Sequence, residues 1–541
     1  MPPDPSNSRK TRTKTGCLVC RARRVRCDED RPKCRKCVKY MADCVYPEEK
    51  AFDPRENRIA LDRRHRTSRS RSRDAVTLSR RERKLSPPQL TEEQRMAQQT
   101  AYIHAICRNT RMSSFFTSPQ SPPDFLRAEF TSEAELEAVH HALSYTLSII
   151  VVDEQNNQFV WLAPLFLLPS SEAPLGRRAL RYAMMALGAT HLASLRRRAE
   201  HLQSASETSE FAKKYHAVAL KALREARSVA VEVHDDRFLA ACTILLCNAV
   251  LGARTDWREA HRYAIEAIRA RGGCAAILAE PRERLDPIRA VLEQIAMTDL
   301  IAAMCTGQRT ALLGRGDDDW WEAVNLDGQS AESQQYDSVE NNLGIHRGLL
   351  LLQAKILNLI ADRIHLDQCY LPDIAIPLST ARASHHPTID STAKGLHHEL
   401  LEWRFRLPTI ALGAGAQLRS LATWHECNIM LERDVFGASR YDLAVQGSVD
   451  CILELCAEAT SDKIEYLNPS LMTAGVNAIR VEQRDAITSL IHSFEAQCGD
   501  ELSVLLEVLV ESWARADTGA NEEALGYRQL LLDIGKPVLI G

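Results

Sequence analysis

Long apolar runs are missing from this sequence. None reaches the roughly 18 residues that would cross a bilayer; the nearest approach, Ala241 to Ala253, is bounded by Arg237 and Arg254. The opening stretch MPPDPSNSRKTRTKTG is polar and lacks the apolar centre of a signal peptide, so the expected setting is intracellular and reducing, with no membrane partner. Aromatic residues are scarce in the first 90 positions, which carry only Tyr40, Tyr46 and Phe52. That weakens any reading as a binder of single-stranded nucleic acid or RNA, because such binding relies on aromatic stacking platforms. Catalytic signatures are also thin. No serine sits in a G-x-S-x-G elbow, His397-His398-Glu399 lacks the i, i+4 histidine pair of a metalloprotease, and Gly413-Ala414-Gly415 is too little for a nucleotide site. Asp318-Asp319-Trp320-Trp321-Glu322 superficially resembles a magnesium-binding acidic motif, but it follows Gly314-Arg315-Gly316 with no second motif, and reads as an exposed acidic turn. The expectation is a protein that is not an enzyme.

What is present is a charge asymmetry. The 541 residues sum to −3, yet residues 1–90 hold 26 Lys and Arg against 12 Asp and Glu, a formal +14, and the remainder holds 42 against 59, a formal −17. A basic segment joined to an acidic body reads as a polyanion-binding module on a separate scaffold.

Inside the basic segment lie Cys17, Cys20, Cys27, Cys34, Cys37 and Cys44, spaced C-x2-C-x6-C-x6-C-x2-C-x6-C: one C-x2-C-x6-C unit repeated at an offset of 17. In a reducing compartment such a cluster points to metal ligation rather than disulfides. Zinc takes four thiolates in tetrahedral geometry, so one zinc would abandon two cysteines, and two zincs need eight ligand positions. Six thiolates fill eight positions if two of them bridge, and equivalent cysteines of the two halves are the natural candidates. Arg21, Arg23, Arg24 and Arg26 follow Cys20, whereas Val38, Lys39, Tyr40, Met41 and Ala42 follow Cys37. The first half is therefore expected to face a nucleic acid, through a short helix beginning near Cys20.

These residues resemble the fungal binuclear zinc cluster transcription factors over about positions 16–47, in Cys-Leu-Val-Cys-Arg-Ala-Arg-Arg-Val-Arg-Cys and Arg-Pro-Lys-Cys-Arg-Lys-Cys, with Pro32 where that family places a loop proline. The resemblance implies two Zn2+ per chain. Cys17 and Cys34 would bridge, Cys20 and Cys27 would complete one site, and Cys37 and Cys44 the other. It also implies double-stranded DNA with CGG-type triplets as partner, with Arg23 and Arg24 as the basic pair and Arg24 the preferred base reader. Arg12, Lys14, Arg21 and Arg26 are assigned to phosphates. A zinc-stabilised protein-interaction module or an RNA-binding module on a helical scaffold is the competing reading.

The expected fold is mainly α: a disordered leader (1–12), a small N-terminal Zn2Cys6 binuclear cluster (13–48), a disordered basic linker (49–115) and a large all-helical regulatory domain (116–541). The linker contains Ser68-Arg69-Ser70-Arg71-Ser72-Arg73 and Ser86-Pro87-Pro88, and has too little apolar surface for a core. Beyond it, apolar residues recur at helical spacing, as in Leu180, Ala183, Met184, Leu187 and His191, and in Leu239, Cys242, Leu245, Leu246 and Val250. Further helices are expected over Tyr215–Ala230, Trp257–Arg271, Leu285–Met304, Leu349–Ile364, Leu421–Val435 and Leu502–Trp513, while Ser148–Val152 is ambiguous between helix and strand. This region resembles the second fungal-specific transcription factor domain. The Leu180 to Leu192 helix, Tyr215-His216 with Ala219-Leu220, the Trp257 to Gly273 helix and Ala474-Gly475 carry the likeness. That implies a regulatory body receiving transcription machinery or a small-molecule effector. Residues 50–95 show no sustained a/d heptad, only Leu61, Val76, Leu78 and Leu85, so homodimer and monomer both stay open. Nuclear localisation is expected from Arg21 to Arg26, Arg63 to Arg66 and Arg80 to Lys84. The remaining ten cysteines are expected to pack as small hydrophobes.

Overall fold

The computed structural model describes residues 20, 27–28, 30, 33–39, 44, 122, 124–130, 132–152, 157–167, 174–281, 287–322, 339–370, 387–407, 414–459, 466–495 and 498–541. The chain divides into two units, Met1–Ser86 and Pro87–Gly541. The leader and the whole of 49–115 lie outside the described residues.

In the first unit the described helix is α1 (Arg35–Lys39). Its described buried apolar side chains are Cys20, Cys27, Cys34 and Cys37, with Cys44 half-buried beside them. No aliphatic or aromatic side chain joins that cluster among the described residues. With only cysteines buried among the described residues of this unit, a cross-link is the natural means of holding them together.

The second unit is helical, and its described residues include no strand. Its longer helices are α2 (Glu133–His141), α3 (Leu175–Arg198), α4 (Leu202–Ala226), α5 (Asp236–Leu251), α6 (Trp257–Ala270), α7 (Ile288–Thr306), α8 (Arg347–Tyr370), α9 (Pro387–Arg406), α10 (Ala414–Asp434), α11 (Leu443–Glu458), α12 (Asn468–Asn477), α13 (Val481–Phe494), α14 (Glu501–Asp517) and α15 (Tyr527–Asp533). One continuous apolar core runs from Leu126 to Ile540.

Consecutive helices pack in pairs, α3 on α4 and α10 on α11; α5 packs on α3, α4, α6 and α7, and α7 packs in turn on α8 and α15. Both central helices bury residues on every face, Phe238 to Asn248 in α5 and Ile288 to Cys305 in α7, as expected of helices surrounded by neighbours. The polar residues on α7 are therefore partnered inside the body. Asp299 accepts from His261 at 2.9 Å and from the Ala311 and Leu312 amides at 2.6 and 3.1 Å. Asp235 caps α5 by accepting from the Arg237 amide at 2.8 Å, and α6 ends at Gly272 and Gly273, with φ of +86° and +94° that only glycine adopts without strain.

Each expected helical stretch coincides with a helix, and the differences lie at the ends. α4 begins 13 residues before Tyr215, because its first half is polar and buries chiefly Ala205 and Ala212. Periodicity of large apolar residues misses a segment whose packing face is alanine. Ser148–Val152 resolves as a helical turn, Leu147–Ile149, following a π-helical turn at Ala142–Thr146. The acidic turn is only partly exposed. Asp318 is half-buried and accepts from the Gly314 and Gly316 amides at 2.8 and 3.3 Å, and Asp319–Glu322 forms a helical turn whose Trp320 and Trp321 are buried. Trp321 donates to the Arg347 carbonyl at 2.9 Å, so the motif's tryptophans anchor the core. No described helix is long and apolar enough to cross a membrane.

Candidate metal centre and nucleic-acid interface

The first unit brings its cysteines into two groups that share a member. The sulfurs of Cys20, Cys27 and Cys34 lie within 4.8 Å of one another, and so do those of Cys34, Cys37 and Cys44. Cys20 Sγ and Cys34 Sγ are 3.7 Å apart. That is far beyond a disulfide bond of about 2.0 Å. It matches the edge of a tetrahedron with zinc–sulfur distances of about 2.3 Å, which is about 3.8 Å. The residues present thus fit a pair of zinc ions with Cys34 at the junction. Cys17, expected at the equivalent place in the first half, lies outside the described residues.

Backbone geometry prepares the sulfurs for negative charge. The Cys37 amide, inside α1, donates to Cys34 Sγ at 3.4 Å, and the Cys34 amide donates to Cys44 Sγ at 3.3 Å. Hydrogen bonds of this kind orient thiolate ligands and stabilise their charge. The loop between the halves is tied to α1 by Arg35, whose amide donates to Asp28 Oδ2 at 3.0 Å and whose Nε donates to Asp30 Oδ2 at 2.7 Å. The Arg35 and Asp30 side chains are 84% and 47% exposed, so the ion pair is worth under about 1 kcal/mol and serves chiefly to set the loop's path. The sequence reading missed this brace; the acidic run Asp28-Glu29-Asp30 directly after a cysteine was the available signal.

Of the expected nucleic-acid contacts, Arg12, Lys14, Arg21, Arg23, Arg24 and Arg26 all lie outside the described residues. Cys20 itself has helical backbone. The cysteines of the helical body behave differently from the cluster. Cys242, Cys247, Cys274, Cys305, Cys427, Cys456 and Cys498 are buried in the body. Burial pushes the Cys247, Cys274 and Cys456 thiols up to about 12 and Cys305 to about 11, so they stay protonated and unreactive.

Residues 140–540 match the family described as the fungal specific transcription factor domain. The chain belongs to that family. Residues 15–51 match the fungal Zn(2)-Cys(6) binuclear cluster domain, which holds two zinc ions. Similar proteins include Transcription factor lfc1 of Flammulina velutipes, 44% identical over 45 residues, and the Zn(2)-C6 fungal-type transcription factor afumD of Aspergillus fumigatus, 52% over 46; each match takes in 8% of this chain. Transcriptional regulatory protein moc3 of Schizosaccharomyces pombe is 56% identical over 39 residues, 7% of this chain. The aligned segments span 15%, 12% and 8% of those relatives' own lengths, so the likeness is that of a module. The family is one of transcription factors rather than enzymes.

Proposed function

We propose that this protein is a zinc-dependent, sequence-specific regulator of RNA polymerase II transcription that reads CGG-type triplets in duplex DNA. The observation that carries the reading is the shared sulfur: Cys34 belongs to both cysteine groups, the arrangement by which six thiolates serve two metals. In the proposed assignment Cys17 and Cys34 bridge, Cys20 and Cys27 complete one site, and Cys37 and Cys44 the other. The zincs hold together a unit whose described buried apolar side chains are all cysteines. Their chemistry here is structural.

With the fold held, the basic run after Cys20 is presented to the major groove, where an arginine pairs bidentately with guanine O6 and N7. Arg24 is assigned to the base edge with Arg23 beside it. Arg12, Lys14, Arg21 and Arg26 are assigned to phosphates, which place the module without specifying sequence. The proposed boundaries are 13–48 for the cluster, 49–115 for a basic linker and 116–541 for the regulatory body. The basic segments direct nuclear entry, and self-association, where it occurs, runs through the helical body. The test is an unbiased selection of duplexes by the zinc-loaded chain. CGG-type triplets should be enriched; a pool without sequence preference, or enrichment of single-stranded RNA over duplex, overturns the reading.

A further inference from the structure

The helical body contains a cavity with room for about 70 Å³, bounded by the C-terminal end of α5, the middle of α7 and the starts of α12 and α14. Its walls are mainly apolar, with Ile149, Val250, Leu251 and Ile301 facing it. Polar side chains also line it: Gln294, Thr298 and Tyr466, whose polar groups are bonded within the body, and Asn468 and Glu501, each 2% exposed.

Both are held with one polar atom unused. Asn468 Nδ2 donates to the Gly541 main-chain oxygen at 2.9 Å, which fixes the amide and leaves Oδ1 buried without a partner. Glu501 Oε1 accepts from the Gly499 amide at 3.1 Å, and Oε2 is likewise buried without a partner. The turn that delivers Glu501 is specified closely. The Asp500 amide donates to the Leu251 carbonyl at 2.6 Å, and a Cβ on Gly499 would stand 1.9 Å from that same oxygen, so only glycine permits the approach. Tyr466, in the left-handed region at φ +64°, forms another wall, and its hydroxyl bridges the Ile150 carbonyl at 3.2 Å and Gln294 Oε1 at 3.0 Å. A non-glycine residue kept at such a φ beside a cavity marks a place where the surroundings over-determine the backbone.

We propose that this cavity is a binding site for a compact, uncharged, predominantly apolar molecule, or molecular end, that carries a hydroxyl group. The chemistry follows from the two spare atoms. Burial pushes the Glu501 carboxyl up to about 8, so at neutral pH it keeps its proton, and with Oε1 occupied by an N–H the proton sits on Oε2 as a donor. Asn468 Oδ1 is an acceptor only. A hydroxyl accepts from the first and donates to the second, and a cation or a carboxylate satisfies one of them at most. A water can bridge the same two atoms, so the test compares a hydroxyl-bearing probe with an apolar one of the same shape.

The test uses the full zinc-loaded chain and two probes of matched shape, isobutanol and isobutyl chloride, titrated by saturation-transfer NMR. Isobutanol should bind in the millimolar range and at least about tenfold more tightly than the chloride, the discrimination expected when a site's buried polar groups are left unpaired. Glu501→Leu should remove that preference, while Glu501→Gln, which keeps a donor at the same place, should retain it. Val250→Phe, which fills the cavity, should abolish both signals in a chain whose thermal unfolding is still cooperative. The unmodified chain decides the matter even if the variants fold poorly. No transfer to isobutanol, as for a cavity holding water alone, or equal affinity for the two probes, overturns the proposal. Duplex affinity measured on the same samples reports on the zinc unit separately.

Discussion

Replacing Cys34 by alanine should cost the protein both of its zinc ions, whereas replacing Cys20 should cost one. The difference comes from position: Cys34 Sγ belongs to both sulfur groups and Cys20 Sγ to one. Structural zinc contributes on the order of 10–16 kcal/mol of apparent binding energy per site. The described buried apolar side chains of this unit are all cysteines, so among the described residues nothing comparable replaces that contribution. Cys34→Ala should therefore unfold the first unit, and Cys20→Ala should leave it partly organised around the remaining metal. Native mass measurement of the full chain, after dialysis against a mild chelator, should give two zincs for the parent, one for Cys20→Ala and none for Cys34→Ala. Stray binding by Cys247, Cys274 and Cys456 does not confuse the count, because burial holds these thiols protonated. Far-ultraviolet circular dichroism should barely change, since the signal comes from the second unit. A Cys34→Ala chain that keeps one firmly held zinc would refute the shared-ligand geometry.

Arg24→Ala should weaken binding to a CGG-containing duplex by about 1–3 kcal/mol and relax preference at one guanine, whereas Lys14→Ala should weaken matched and mismatched duplexes alike and lower the salt slope by about one unit. Affinity titrations over a salt series separate the two, and uniform loss for Arg24→Ala would move the reading role to Arg23. Residues 1–90, metal-loaded, should bind DNA alone and carry a reporter into the nucleus; a fragment that does neither contradicts the modular account. Stability of the body should depend on pH from both sides. Burial raises the Glu426 and Glu501 carboxyls from 4.5 to about 7 and about 8, so the stability they hold below pH 4.5 is lost as pH rises toward 8; burial lowers His140 and His425 to about 4, so their share is lost as pH falls from 6.5. Thermal unfolding should peak between these limits, and Glu501→Gln should flatten the decline above pH 6.5; an unchanged alkaline slope counts against a protonated Glu501.

The helical class was legible because large apolar residues recur at a period near 3.6, and the expected cores of α5, α6 and α7 coincide with the observed helices. Helix ends were less legible where alanine does the packing, as at Ala205 and Ala212 of α4. The cysteine spacing announced a two-metal unit and the family resemblance named Cys34 among the bridging ligands; in the structure the turn into α1 brings Cys34 into both cysteine groups. The buried acids were invisible for a different reason. Glu426 sits in Trp424-His425-Glu426-Cys427 and Glu501 follows Cys498-Gly499-Asp500. A charged residue in such a stretch reads as solvent-facing until tertiary packing closes over it.

Whether the metal-held unit distinguishes one duplex from another is tested directly by one titration. The zinc-loaded chain is measured, at physiological salt, against a CGG-containing duplex and the same duplex with one guanine replaced, then again after complete metal removal and after zinc is restored. The matched duplex should bind about tenfold or more tightly than its single-base variant, in line with the ~1–3 kcal/mol of a lost bidentate contact. Discrimination should vanish without zinc and return with it. Equal affinity for the two duplexes, or discrimination that survives metal removal, would contradict the account.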